Sequence, residues 1–186
     1  MNSSLISNRY AKALMDYAES IGQDTKLYSE MRLLDETFDK VRELGKAMRN
    51  QLVSVEQRKS LLTTAAGGNV SDAFSRFLEM LSEKERFSNV HQISLKYCEL
   101  YRQRHNIHYC VLTTAIPLTD EELKHISDEI MKFSPNVSEL EIRNDVDESV
   151  LGGFAIETDS KLLDATVRHQ LQEIKNVLVG NNQILN

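Results

Sequence analysis

His108-Tyr109-Cys110-Val111-Leu112-Thr113-Thr114-Ala115-Ile116, followed by Pro117-Leu118-Thr119-Asp120-Glu121-Glu122, is where this chain changes character. The first nine residues are β-branched and aromatic, which predicts a strand. Pro117 stops it. Thr119 and Glu122 then make a capping-box pattern with an acidic first turn, so a helix is expected from there to Phe133. A strand followed at once by a helix marks a mixed domain, and nothing before residue 105 reads that way.

Upstream, the pattern is helical throughout. One helix is expected from about Ser4 to Ile21, with Gly22 as its stop signal. A second opens at Asp24, an N-cap type, and spaces Leu27, Met31, Leu34, Phe38 and Val41 by three and four. A short piece covers Leu44 to Leu52. Ser54-Val55-Glu56-Gln57 is a capping box that opens a helix ended by Gly67-Gly68-Asn69. Ser71-Asp72 opens a fifth helix, and a sixth carries Phe87, Val90, Ile93, Tyr97, Leu100 and Tyr101. Six helices with short loops predict a bundle over residues 1–105.

Downstream, Pro135-Asn136 breaks the helix. Val137 to Asn144 alternates apolar and polar residues, the pattern of a half-buried strand. Gly152-Gly153 precedes a strand over Phe154–Thr158. Asp159-Ser160 then turns the chain into Lys161-Leu162-Leu163, a hairpin. A last helix is expected from about Ala165 to Val179, capped by Gly180-Asn181-Asn182. The fold class is therefore α+β: a six-helix bundle, then a small mixed domain over 106–186.

Composition supports this division. Of 186 residues, 41% are apolar, 6% are aromatic and none is Trp, so the core rests on aliphatic side chains. The net charge of −6 is uneven. Residues 1–105 hold 16 Lys and Arg against 14 Asp and Glu, whereas residues 106–186 hold 6 against 14. A surface of that sign suits solubility or a basic protein partner and argues against nucleic acid. No apolar run approaches the roughly 20 residues that span a bilayer, so no direct membrane insertion is expected. The N-terminus lacks a basic segment before an apolar one, which predicts a cytoplasmic chain. Cys98 and Cys110 read as free thiols.

The chain offers little chemistry. It has no Walker loop, no Gly-x-Gly-x-x-Gly and no Gly-x-Ser-x-Gly. Cys98, His105, His108 and Cys110 lack the spacing of zinc ligands. Asp145-Val146-Asp147-Glu148 lacks the third acid and the Gly of a calcium loop. No catalytic residue, no cofactor and no metal is expected from these motifs.

Arc width on two helices is more informative. At about 100° per residue, Ile6, Tyr10, Ala11, Ala13, Leu14, Met15, Tyr17, Ala18 and Ile21 fill roughly 200° of the first helix. Ala73, Phe74, Phe77, Leu78, Met80 and Leu81 fill roughly 160° of the fifth. One contact needs about 100°. Either both helices are central and wholly covered, or one edge of each stays open as a groove for a foreign amphipathic helix.

Several stretches resemble one family. Arg9-Tyr10-Ala11-Lys12-Ala13-Leu14, with Ala18 following, looks like the opening helix of the ATP synthase delta subunits, whose mitochondrial member is the oligomycin-sensitivity-conferring protein. Phe77-Leu78-x-x-Leu81, Arg86, Ile93 and Tyr97 resemble its fifth and sixth helices. Thr114-Ala115-Ile116-Pro117-Leu118-Thr119 resembles the strand-to-helix junction of its second domain. The most specific stretch is Val146-Asp147-Glu148-Ser149-Val150-Leu151-Gly152-Gly153-Phe154, followed by Asp164-Ala165-Thr166-Val167-Arg168 and Leu171. Thr166 and Ala165 stand where the family commonly has Ser and Gly, and residues 24–66 match only in pattern.

The resemblance implies a non-catalytic subunit that links the catalytic head to the peripheral stalk and resists rotor torque during proton-driven ATP synthesis. The alternative is a helical interaction adaptor unrelated to ATP synthase. The resemblance also implies a location on the cytoplasmic face of a bacterial plasma membrane, as a peripheral part of the complex. It places the N-terminal helix of an alpha subunit in a groove between the first and fifth helices. That groove is expected at Tyr10, Ala13, Leu14 and Tyr17, and at Ala73, Phe77, Met80 and Leu81. The expected open edge is Tyr10, Ala13 and Tyr17 on one side, with Leu14 beneath, and Ala73, Phe77 and Met80 on the other. The second domain is expected to hold the b subunits of the stalk. Gly152, Gly153, Phe154, Asp164 and Arg168 are expected to be structural, the two glycines in conformations closed to other residues.

Overall fold

A computed structural model describes residues 3–133, 139–158 and 162–171. The chain divides into two compact units, Met1–Arg104 and His105–Asn186.

The first unit holds α1 (Ser3–Ser20), α2 (Asp24–Lys40), α3 (Arg42–Arg49), α4 (Val55–Ala65), α5 (Asp72–Glu83) and α6 (Val90–His105). Its core is aliphatic and aromatic. Met15, Leu27, Met31, Leu34, Leu62, Phe74, Leu81, Ile93 and Tyr97 are sealed from solvent. α2 contributes the apolar stripe that its three-and-four spacing predicts: Leu27, Met31, Leu34 and Phe38 are all buried. Tyr28 stacks on Tyr101 of α6 at 4.1 Å. Arg104 of α6 pairs with Asp16 and Glu19 of α1.

Several boundaries differ from the sequence reading, each for a local reason. Asp24 is the first helical residue of α2, not its cap. Gln23 holds the cap position without a side-chain cap bond, because its amide is used by α5: Ala73 N–H donates to Gln23 Oε1 at 3.1 Å. α3 spans Arg42–Arg49 rather than Leu44–Leu52. Its end is fixed by Asn50, whose Oδ1 accepts Leu52 N–H at 3.0 Å while its carbonyl accepts Arg58 at 2.6 Å. Phe87–Asn89 forms a separate 3-10 turn before α6. The capping box at Ser54 and Gln57 is present in both directions.

The second unit is a four-stranded sheet in the order β2-β1-β3-β4. Its strands are β1 (Ile107–Thr114), β2 (Glu139–Val146), β3 (Phe154–Thr158) and β4 (Leu162–Asp164). β1 and β2 are parallel, with Cys110 beside Ile142, so α7 (Asp120–Phe133) forms the crossover. β3 is antiparallel to β1 and pairs with β4 as a hairpin. Cys110, Leu112 and Thr114 alternate on the buried face of β1. α7 covers that face, with Ile130 and Met131 lining a small cavity beside Cys110, Leu140 and Ile156.

β1 ends at Thr114, earlier than Ile116, because the Thr114 hydroxyl donates to the Ile116 carbonyl at 2.7 Å and closes a turn before Pro117. α7 opens as predicted: Glu122 accepts from the Thr119 N–H and hydroxyl, both at 2.8 Å. Those bonds hold the Glu122 carboxyl below its usual range. β2 runs on to Val146, so Asp145 and Val146 belong to a strand rather than a loop. Residues 167–171 open a further helix. The expected breaker at Pro135-Asn136, the first residues of the β2 prediction, the Asp159-Ser160 turn and the final cap fall outside the described residues.

Candidate functional site

The placement of α5 begins with a buried acid. Glu30 on α2 is 5% exposed. It accepts the Ser71 N–H at 2.6 Å and the Ser71 hydroxyl at 2.7 Å. Ser71 in turn caps α5, its oxygen accepting Phe74 N–H at 3.1 Å. With Gln23 on Ala73, one side chain of α2 and one from its N-cap position grip the first turn of α5. A carboxylate there also meets the positive end of the helix dipole.

α5 is thereby laid against α1. The two run antiparallel: Tyr10 lies under the Arg86 guanidinium at 5.5 Å, and Tyr17 is within electrostatic reach of Arg76. Between these ends lies a cleft of about 350 Å³. Ala13, Leu14 and Tyr17 line one side, and Arg76, Phe77, Met80 and Glu83 the other. Tyr17 is 41% exposed, Ala13 is exposed and Met80 is half-exposed. Leu14 lies buried beneath them.

The fifth helix departs from the expected geometry. Phe77 is only 1% exposed and Ala73 is sealed. Phe77 packs edge-on against Phe74, with ring centroids 6.1 Å apart. It forms the floor of the cleft and not its rim, because α5 is rotated to bury Ala73, Phe74 and Leu81 in the core of its own unit. Ala73 and Leu81 do not line the cleft. Nor does Tyr10, which is half-buried beneath Arg86. Arg76 and Glu83 are the lining residues the sequence reading missed. They flank Met80 at four- and three-residue spacing, but a search for apolar arcs passes over charged edges.

A larger cavity, about 610 Å³, lies among Arg49, Ser54, Arg58, Ser82, Glu85 and Ser88. Its lining is mainly polar. The smaller cleft between α1 and α5 is the more apolar of the two.

The glycine motif of the second unit is a backbone lock. Leu151, Gly152 and Gly153 have φ of 64°, 135° and 74°, three successive residues in the left-handed half of conformational space. A Cβ on Gly153 would lie 2.4 Å from the Ala165 carbonyl oxygen. That contact is close because the following segment is tied down. Val167 N–H donates to Gly152 O at 3.0 Å, and Ala165 N–H to Phe154 O at 2.9 Å. Asp164 accepts Thr166 N–H at 3.0 Å, and Thr166 Oγ1 accepts His169 N–H at 3.1 Å, capping the helix at 167–171. Arg168 reaches Ser149 at 3.4 Å. Asp147 accepts Ser149 N–H at 2.9 Å. Hydrogen bonds from Ser149 and Thr166 hold Asp147 and Asp164 below the ordinary carboxylate range. Gly152, Gly153, Phe154, Asp164 and Arg168 thus meet in one place and fasten a helix start to β3.

These features define a class: a two-unit scaffold carrying a largely apolar cleft between two helices on one unit and a hydrogen-bonded hairpin-and-helix corner on the other. The family model for the ATP synthase delta (OSCP) subunit matches residues 6–178, and the chain belongs to that family. It is similar to the ATP synthase subunit delta of Phocaeicola vulgatus, 31% identical with 96% of each chain covered. It is likewise similar to that of Bacteroides fragilis, 33% identical with 98% of each covered. In fold it matches a chain of the Toxoplasma gondii mitochondrial ATP synthase hexamer, with a TM-score of 0.68 at 17% identity over 93% of this chain and 97% of that one. Members of the family are structural, non-catalytic components of ATP synthase. An adaptor unrelated to ATP synthase is not supported. Among the described residues, no helix is long and apolar enough to cross a membrane.

Proposed function

We propose that this chain joins the catalytic head of an F-type ATP synthase to its peripheral stalk, using one unit for each end. The first unit acts as a six-helix bundle that receives the N-terminal helix of an alpha subunit between α1 and α5. The observation that carries this reading is the α1–α5 cleft, an apolar trough over Leu14 and Phe77 left open at Ala13, Tyr17 and Met80. Ala13 carries the smallest side chain on its side of the trough, so a partner backbone can approach closely there. The second unit holds the b subunits. Leu162, Leu163 and Leu171 are each more than half exposed, which supplies apolar contact area near the hairpin. The complex sits on the cytoplasmic face of the plasma membrane, with this chain peripheral to it. The protein's task is passive: tight binding at two ends and stiffness between, so that rotor torque is not lost in turning the head.

Calorimetry with a synthetic peptide of the alpha N-terminus tests the first half. Met80→Asp places a charge in the trough at a half-exposed position, so circular dichroism should stay native while peptide binding falls at least about tenfold. Unchanged affinity in a folded Met80→Asp protein defeats the cleft assignment. Co-purification of b subunits with the wild-type chain, lost when Leu163 is changed to Asp, tests the second half.

A further inference from the structure

The interface of α2 and α6 holds a cluster that neither binding end uses. Asp35 and Asp39 lie one helical turn apart and present their carboxylates on one face of α2. Facing them, His91 of α6 places Nε2 at 2.9 Å from Asp35 Oδ1. One donor atom from each of the three residues lies within 4.8 Å of the other two. The imidazole is stacked on Phe38, centroids 4.7 Å apart and planes 15° apart, which fixes the edge it presents. Asp35 and His91 are half-buried and Asp39 is exposed. Two carboxylates at this spacing repel one another along a helix.

We propose that Asp35, Asp39 and His91 bind a divalent transition-metal ion of the zinc type, bridging α2 to α6. Zinc takes imidazole nitrogen and carboxylate oxygen at about 2.0–2.2 Å, which sets tetrahedral donors about 3.3 Å apart. The His91–Asp35 pair stands at 2.9 Å, and Asp39 offers a carboxylate oxygen within 4.8 Å of both. An imidazole in the set disfavours magnesium and calcium, which prefer oxygen alone. Three protein donors leave a fourth position for water. Ligation uses the Nε2 lone pair, so the imidazole keeps its proton on Nδ1. The ion would stiffen the helix that carries Glu30 and follows Gln23, and hence the seat of α5. Sequence spacing gave no sign of this site, because the histidine stands far along the chain from both acids.

The test is calorimetric titration of the full chain with zinc chloride, in the wild type and in Asp39→Asn and His91→Gln. One ion per chain is expected, with affinity at least about tenfold weaker in each variant, and a zinc-dependent rise in melting midpoint only in the wild type. Asp39→Asn alters an exposed side chain, so its metal-free melting should match the wild type even if His91→Gln loosens the fold. Equal, weak binding in all three proteins means that His91 and Asp35 form a hydrogen bond only, and overturns the proposal. Tight zinc binding that survives both substitutions places the ion elsewhere and overturns it equally.

Discussion

Ala13→Leu is the most discriminating perturbation of the cleft. Ala13 is an exposed residue in the middle of α1, and Leu is nearly as good a helix former, so the helix should survive at a cost of a few tenths of a kcal/mol. The new side chain points into a trough of about 350 Å³ and lies over Leu14 and Phe77. It therefore gains apolar contact in the free protein, and the melting temperature should hold or rise. An occupant helix loses the place of one large apolar side chain. Burial of such a side chain is worth about 1.5–3 kcal/mol, or roughly 10- to 150-fold in affinity. Titration of the variant with the alpha N-terminal peptide should show that loss at unchanged stability. Phe77→Asp cannot serve: at 1% exposure the charge would be buried and the unit would unfold, so lost binding would carry no information. If folded Ala13→Leu binds the peptide as tightly as wild type, the occupant does not enter between α1 and α5.

Three further outcomes follow from particular contacts. Glu30→Ala strips the acceptor from the buried Ser71 N–H and hydroxyl and should cost about 1–3 kcal/mol by chemical denaturation, with peptide affinity falling alongside as α5 loses its seat. Stability equal to wild type would refute the gripping role. Gly153→Ala should destabilise the second unit by more than about 2 kcal/mol, since a left-handed backbone and a contact with the Ala165 carbonyl must both be accommodated. Differential scanning calorimetry reads it, and an unshifted transition would refute it. Asp147, Asp164 and Glu122 have folded-state pKa values depressed by hydrogen bonds. Their contribution is therefore complete above the unfolded carboxylate pKa of about 4 and is lost as pH falls through the folded values. Near-ultraviolet dichroism should show the second unit loosening below about pH 4, and Asp164→Asn should flatten that dependence.

The elements were legible because their signals are local. The capping boxes at Ser54 and Thr119 rest on pairs three residues apart, and both are made as written. Gly152-Gly153 marked a special turn because only glycine accepts those angles cheaply, although Leu151 shares the conformation without any sign in its identity. What the sequence could not show was rotation. The wide arc on α5 is compatible with an open edge at either side, and Phe77 could serve as rim or floor. The choice is made by Glu30 and Gln23, residues more than forty positions away, which grip Ser71 and Ala73 and turn Phe77 inward. The same long-range placement hid Arg76 and Glu83 as lining residues. Each apolar arc thus reported the sum of two surfaces, one sealed against its own unit and one left open. On α1 the open part is Ala13 and Tyr17, and on α5 it has narrowed to Met80. On the proposed reading, a helix in the cleft draws its binding energy mainly from α1, with Phe77 contributing as a fixed floor. Substitutions on α1 should consequently weaken the alpha peptide more, per unit of stability lost, than substitutions on α5.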